Sequence, residues 1–247
     1  MSPRVRLRVL GSGHAFASGG RFQTCLYLEG AGDPVLIDCG ATALVAMKRA
    51  GIDPEGIGWV ALSHLHGDHF AGLPFLILDG QIARRTRPLV IAGPPGTPAR
   101  IDDTLEALFP RASTARRSYE TRFAELVGGS PRRLGPATVT PFEVSHPSGA
   151  PAHALRVEYG GRVIAYSGDT AWTENLVAVS RGADLFVCEA LFYEKRVPHH
   201  LDYRTLAERR AELDCERLVL THMSDDMLAR LDELDIEAAT DGAGIEI

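Results

Sequence analysis

His64-Leu65-His66-Gly67-Asp68-His69 sets three imidazoles and one carboxylate within six consecutive positions. Neither a turn nor a core requires that density of ligating side chains, so the run reads as a metal site. Nitrogen and oxygen donors without thiolate suit Zn²⁺ first, with Mn²⁺ or Fe²⁺ as alternatives. The preceding residues Trp59–Ser63 are strand-like, which leaves His64 and His66 at i and i+2 beyond a strand end, while Asp68 and His69 open the next helix. Neighbours on a helix point about 100° apart, so the four side chains diverge from a single tetrahedral centre and two ions are expected.

Four ligands are too few for two ions, and the remainder must come from elsewhere in the chain. His146 follows the strand-like Thr138–Ser145, Asp169 sits in Ser167-Gly168-Asp169-Thr170 after Val163–Ser167, and His222 follows Leu218–Thr221. Asp38 stands in the same way at the end of Val35–Cys39. Open sheets carry their sites at C-terminal strand ends, and these positions repeat that placement. Each residue alone would pass as a cap or a hydrogen-bonded core group. Beside the 64–69 run, His146, Asp169 and His222 complete a ligand set.

The periodicity elsewhere gives further strands at Val5–Leu10, Cys25–Glu29, Leu89–Ala92, Ala154–Tyr159 and Leu185–Cys188. Helices are predicted at Ala41–Ala50, after His69, and at Ile101–Leu108, Ala115–Val127, Thr173–Ser180, Tyr203–Leu213 and Asp226–Leu234. So many short strands exceed one comfortable sheet, and paired sheets covered by outer helices accommodate the order. With 247 residues, 45% of them hydrophobic and 23% charged, the chain fits a single globular domain over residues 1–247.

Cys25, Cys39, Cys188 and Cys215 are scattered without a C-x-x-C pair and read as reduced, buried thiols. No apolar run reaches the ~20 residues of a membrane span, and the N-terminus alternates basic and apolar residues rather than forming a signal peptide. A cytoplasmic location without membrane contact is expected. The net charge of -6 argues against a protein that coats nucleic acid. Residues 81–133 nevertheless hold ten Arg against five acids, a local excess of +5. Either a solvated surface or a phosphate-steering rim follows from that excess.

The motifs His64-x-His66-x-Asp68-His69, His146, Asp169 and His222 resemble, in type and order, those of the metallo-β-lactamase superfamily over essentially the whole chain. The resemblance implies an αββα sandwich of two mixed β-sheets flanked by helices. It implies two zinc ions, one held by His64, His66 and His146 and the other by Asp68, His69 and His222, with Asp169 and a hydroxide bridging them. Two Zn²⁺ against Asp68, Asp169 and hydroxide leave the centre about +1 and attractive to phosphate. Metal coordination lowers the pKa of water towards ~7, so no Ser or Cys nucleophile is needed. Asp68 counts among the catalytic candidates as well as the ligands.

Leu10-Gly11-Ser12-Gly13, Arg21-Phe22-Gln23-Thr24, Glu189-Ala190-Leu191-Phe192 and Leu220-Thr221-His222-Met223-Ser224 are similar to the ribonuclease Z-like branch. In that branch a catalytic His precedes the last ligand at the spacing that separates His200 from His222, 22 positions. His200 is therefore the candidate that stabilises the phosphoryl oxyanion or protonates the leaving oxygen, with adjacent His199 as the competitor and Glu189 as its orienting partner. His14 and His153 read as structural, and Asp38 as a carboxylate that steadies a ligating His.

A small anionic substrate, a small or cyclic phosphodiester, is the leading expectation. The phosphoribosyl cyclic phosphodiesterases of phosphonate breakdown are also similar, although the chain lacks their extra Cys-rich zinc site. A tRNA 3′-end endonuclease is the second reading, and an ester, thioester, lactone or sulfate-ester hydrolase the third. Structured RNA is the weaker partner for a reason of length: ribonuclease Z carries a tRNA-gripping arm between the residues matching His146 and Asp169. Only 22 residues separate them here, and 157–163 reads as a tight hairpin. Leu73–Leu78 presents an apolar helical face, which either a homodimer or the core would use.

Overall fold

The computed structural model describes residues 4–247 as two seven-stranded sheets lying face to face. The first contains β1 (Arg6–Gly11), β2 (Cys25–Glu29), β3 (Val35–Ile37), β4 (Trp59–Ala61), β5 (Leu89–Gly93) and β6 (Thr121–Glu125) in chain order. The second runs from β7 (Arg132–Leu134) through β8 (Ala137–Val144), β9 (Ala152–Tyr159), β10 (Arg162–Tyr166), β11 (Ala183–Glu189) and β12 (Cys215–Thr221) to β13 (Glu237–Ala238). The chain then returns as β14 (Gly244–Glu246) to pair antiparallel with β1 in the first sheet. Both sheets mix parallel and antiparallel pairs.

Side-chain alternation of period two divides each strand between two cores. Leu26 and Leu28 of β2 enter the layer between the sheets with Val157, Ile164, Val187 and Val219, while Cys25 and Tyr27 face outward. The outward face of the first sheet is covered by α1 (Ala43–Arg49), α3 (Leu73–Ile82) and α4 (Thr97–Leu108). The outward face of the second is covered by α5 (Glu174–Ser180), α6 (Tyr203–Glu208) and α7 (Asp225–Leu228). The four layers are the expected αββα sandwich. The short α2 (Gly67–Phe70) carries Asp68 and His69 at the sheet edge.

One element differs in kind from the sequence reading. Ala115–Val127, rich in helix formers, holds no helix; its second half is the strand β6, paired parallel to β5 from Leu89↔Thr121 to Gly93↔Glu125. Tertiary pairing along the open edge of β5, with Leu126 fully buried, outweighs helix propensities of a few tenths of a kcal/mol per residue. The two long helices predicted in the C-terminal third also break, α6 into a 3-10 turn at Arg210–Glu212 and α7 into another at Leu231–Glu233. The β9–β10 hairpin is as tight as expected, with Gly160 and Gly161 both at positive φ, 59° and 80°, as its two-residue turn requires.

Candidate metal centre

Strand direction gathers the polar strand ends at one edge. β3 and β4 are parallel, as are β10, β11 and β12, and β8 runs in the same direction as β10 because both are antiparallel to β9. Asp38, His64, His146, Asp169, Glu189 and His222 all stand at or just beyond the C-terminal ends of these strands. The α2 turn adds Asp68 and His69 to the same edge.

Four overlapping donor groups result among the described residues, each with its ligating atoms within 4.8 Å of one another; two of them, with no residue in common, could each hold a metal ion, His64, His66 and His146, and Asp68, His69, Asp169 and His222. In the first, His146 Nε2 lies 3.0 Å from His66 Nδ1. In the second, Asp68 Oδ2 lies 3.2 Å from His222 Nε2 and 3.3 Å from His69 Nε2. Asp169 stands between the groups, with Oδ1 3.3 Å from His69 Nε2 and Oδ2 3.3 Å from His222 Nε2, 3.8 Å from His64 Nε2 and 4.0 Å from His146 Nε2.

Buried polar atoms normally find hydrogen-bond partners, and leaving one without costs about 1–3 kcal/mol. His64 Nε2, His69 Nε2 and Asp169 Oδ1 are buried without a partner, and all three belong to the donor groups. Divalent cations satisfy such atoms, so the residues fit the metal that their composition implies.

The ring orientations are fixed from behind. Asp38, at a left-handed φ of 57°, accepts from the Ser63 backbone N–H, the Ser63 hydroxyl and His69 Nδ1, each at 2.7 Å. His64 Nδ1 meets Ser63 Oγ at 3.0 Å. His146 Nδ1 donates to the His199 carbonyl at 3.0 Å. Gly168 turns the chain at φ 58°, where an added Cβ would meet the His153 carbonyl at 2.7 Å; a side chain there would displace Asp169.

The electrostatics separate the groups. Burial drives His64 well below its ordinary pKa, helped by His69, and takes His146 down to about 4. Burial opposes the charged forms in the second group too, but Asp169, Asp68 and Asp38 together hold His69 well above its ordinary value. His222 and His69 in turn hold Asp169 far below the usual carboxylate range against the same burial penalty. Burial and the neighbouring Asp169 charge push Glu189 well up.

His200 brings its ring into this assembly and His199 does not. A nitrogen of His200 lies within 4.8 Å of His146 and Asp169 donors, and its Nδ1 is 3.1 Å from Glu189 Oε2. Glu189 is fully buried and also accepts from the Thr170 backbone N–H. His199 is exposed and contributes only its carbonyl, from a left-handed residue at φ 66°. The sequence reading missed that contact because any residue type supplies a carbonyl. His153 lies outside the donor groups, and His14 bonds within its own loop. Leu73, Leu76 and Ile77 are core residues while Phe75 is partly exposed, and the buried Arg85 spends its guanidinium on backbone carbonyls.

A family model described as the beta-lactamase superfamily domain matches residues 34–223. The chain is 26% identical over 267 aligned residues to a ribonuclease Z of Agathobacter rectalis, covering 89% of this chain and 88% of that one. It shares its fold with the metallo-beta-lactamase fold protein YhfI from Bacillus subtilis at a TM-score of 0.78 and 23% identity, over 99% of this chain and 100% of that one. A diphosphatase of the PhnP family superimposes at a TM-score of 0.77 and 20% identity, over 99% and 98%. Fold, relatives and donor groups define a metal-dependent hydrolase. The chain belongs to the metallo-β-lactamase superfamily, in its ribonuclease Z-like branch. No helix among the described residues is long and apolar enough to cross a membrane.

Proposed function

We propose that this chain is a dinuclear zinc phosphodiesterase acting on small or cyclic phosphodiesters. The observation that carries the reading is the pair of donor groups on either side of Asp169, with His200 at their rim backed by Glu189. In this reading His64, His66 and His146 hold one ion, Asp68, His69 and His222 the other, and Asp169 serves both. Zinc bound there supplies a nucleophile at neutral pH and polarises the phosphoryl oxygen. Asp68, whose Oδ2 lies 3.2 Å from His222 Nε2, would help hold the second ion and would be placed to orient an attacking water. His200 keeps Nδ1 on Glu189 and leaves Nε2 free to meet a phosphoryl or leaving-group oxygen. Glu189 fixes the ring and so acts as a positioning residue.

The ribonuclease Z relative favours a second reading, tRNA 3′-end cleavage. Against it stands the short segment between His146 and Asp169: β9 and β10 with their two-glycine turn occupy it and leave no room for a protruding arm. The net charge of -6 also opposes nucleic-acid binding at physiological salt. A substrate panel on metal-replete protein tests the proposal, setting a chromogenic phosphodiester beside a thioester, a lactone, a sulfate ester and a tRNA precursor. Turnover confined to the phosphodiester is expected. Accurate 3′ cleavage of the precursor with negligible small-diester activity would reverse the ranking.

A further inference from the structure

The connection between β1 and β2 supplies neither donor group, yet it brings an aromatic ring to the edge of the centre. Its geometry is fixed on both sides of Phe16. The Phe16 N–H donates to His14 Nδ1 at 3.3 Å, His14 Nε2 pairs with Ser18 Oγ at 2.7 Å, and the Ala17 N–H donates to the His14 carbonyl at 3.0 Å. Gln23 Nε2 holds the Ala15 carbonyl at 2.9 Å, and the Gly19 N–H reaches Asp225 at 3.1 Å. With both ring nitrogens engaged inside the loop, His14 has none left for an ion and works as a spacer. Its ring stands edge-on between Phe16, at 5.7 Å, and His222, at 5.9 Å.

Phe16 is 88% exposed, and Ala15 and Ala17 beside it offer no apolar wall. A lone exposed aromatic is ordinary on a protein surface. One held by a tied-down loop, two ring contacts from the donor groups, stands where it meets whatever is attached to the reacting phosphate. Beyond His200, a cavity of about 380 Å³ has a mixed lining, with Arg196, Asp202 and Arg209 beside Trp172, Val197 and Leu201. An acyl chain would need a walled apolar groove, whereas a single open ring face suits another flat ring.

We propose that Phe16 is a stacking platform for a nucleobase carried by the substrate, so that the preferred phosphodiesters are nucleoside esters. This rests on the phosphodiester reading above. Because the loop is already ordered, stacking costs little conformational entropy.

Isothermal titration of zinc-loaded protein with AMP and with ribose 5-phosphate isolates the contribution of the base. The wild type should bind AMP at least roughly tenfold more tightly, and Phe16→Ala should cut that preference to within about twofold while Phe16→Tyr retains it. An AMP preference that survives Phe16→Ala, or a wild type with no preference, overturns the platform. Hydrolysis of thymidine 5′-(p-nitrophenyl phosphate), measured in parallel, separates the two claims. No turnover together with Phe16-dependent AMP binding removes the phosphodiester reading and leaves the platform standing; turnover with a Phe16-independent preference does the reverse.

Discussion

The two donor groups sit side by side but are built differently. Asp68, His69, Asp169 and His222 are all buried, combine two carboxylates with two imidazoles, and are backed by Asp38 at 2.7 Å. His64, His66 and His146 are three imidazoles without a carboxylate among them, His66 half-buried at the rim, steadied by a hydroxyl and a backbone carbonyl. On the proposed reading, charge and burial would make the Asp68, His69, Asp169 and His222 group the tighter holder of a divalent ion, and the group with the half-buried His66 the side on which a substrate would enter. His200 stands beside the open group, with its ring 4.9 Å from that of His146.

The hardest way to break that contrast is to remove the residue the groups share. Asp169→Ala should lower bound metal from about two ions per chain to below about one and take activity to background, as read by elemental analysis and a phosphodiester assay. Loss of metal from only one group would show that Asp169 does not serve both.

Next in size is His200→Ala, which should keep both metals and lose roughly 10²–10³ in turnover, the scale of a lost transition-state donor. Unchanged turnover would remove His200 from the chemistry.

Asp38→Asn sharpens the comparison by touching the closed group directly, through His69, and the open group only through the Ser63 hydroxyl that meets His64 Nδ1. The amide still accepts from the Ser63 backbone N–H but presents an N–H to His69 Nδ1 and to the Ser63 hydroxyl in place of an acceptor, so affinity for the closed group's ion should fall about 10–100-fold and the open group's by less. Equal weakening of both ions in a chelator competition would contradict the direct bond to His69 as Asp38's main contribution.

The smallest effect belongs to His199→Ala. Its contribution is a carbonyl that alanine also has, so kcat/KM should change by about twofold or less, the usual reach of a surface substitution. A loss as large as that of His200→Ala would mean that the exposed His199 ring acts in turnover.

The same contrast explains what could be read from the sequence. His64, His66, Asp68 and His69 announce themselves because four donors in six residues have no other use, and the single residues His146, Asp169 and His222 become legible once strand ends are aligned with them. Asp38 was readable as a strand-end carboxylate, though not as the acceptor of three bonds. The His199 carbonyl and the left-handed turns at Asp38, His199 and His222 carry almost no residue-type signal. In the fold, alternation identified the central strands, whereas β6 was hidden because Thr121–Glu125 has helix-forming neighbours and becomes a strand only beside β5. The short edge strands β7, β13 and β14 likewise depend on partners distant in sequence.

Zinc content followed by elemental analysis during stepwise chelation of zinc-supplemented protein addresses the two-group centre most directly. Two unequal sites predict about two ions per chain leaving in two phases, with the loosely held phase absent from His66→Ala. A wild-type chain that retains no zinc, or one ion leaving in a single phase, would contradict the paired centre.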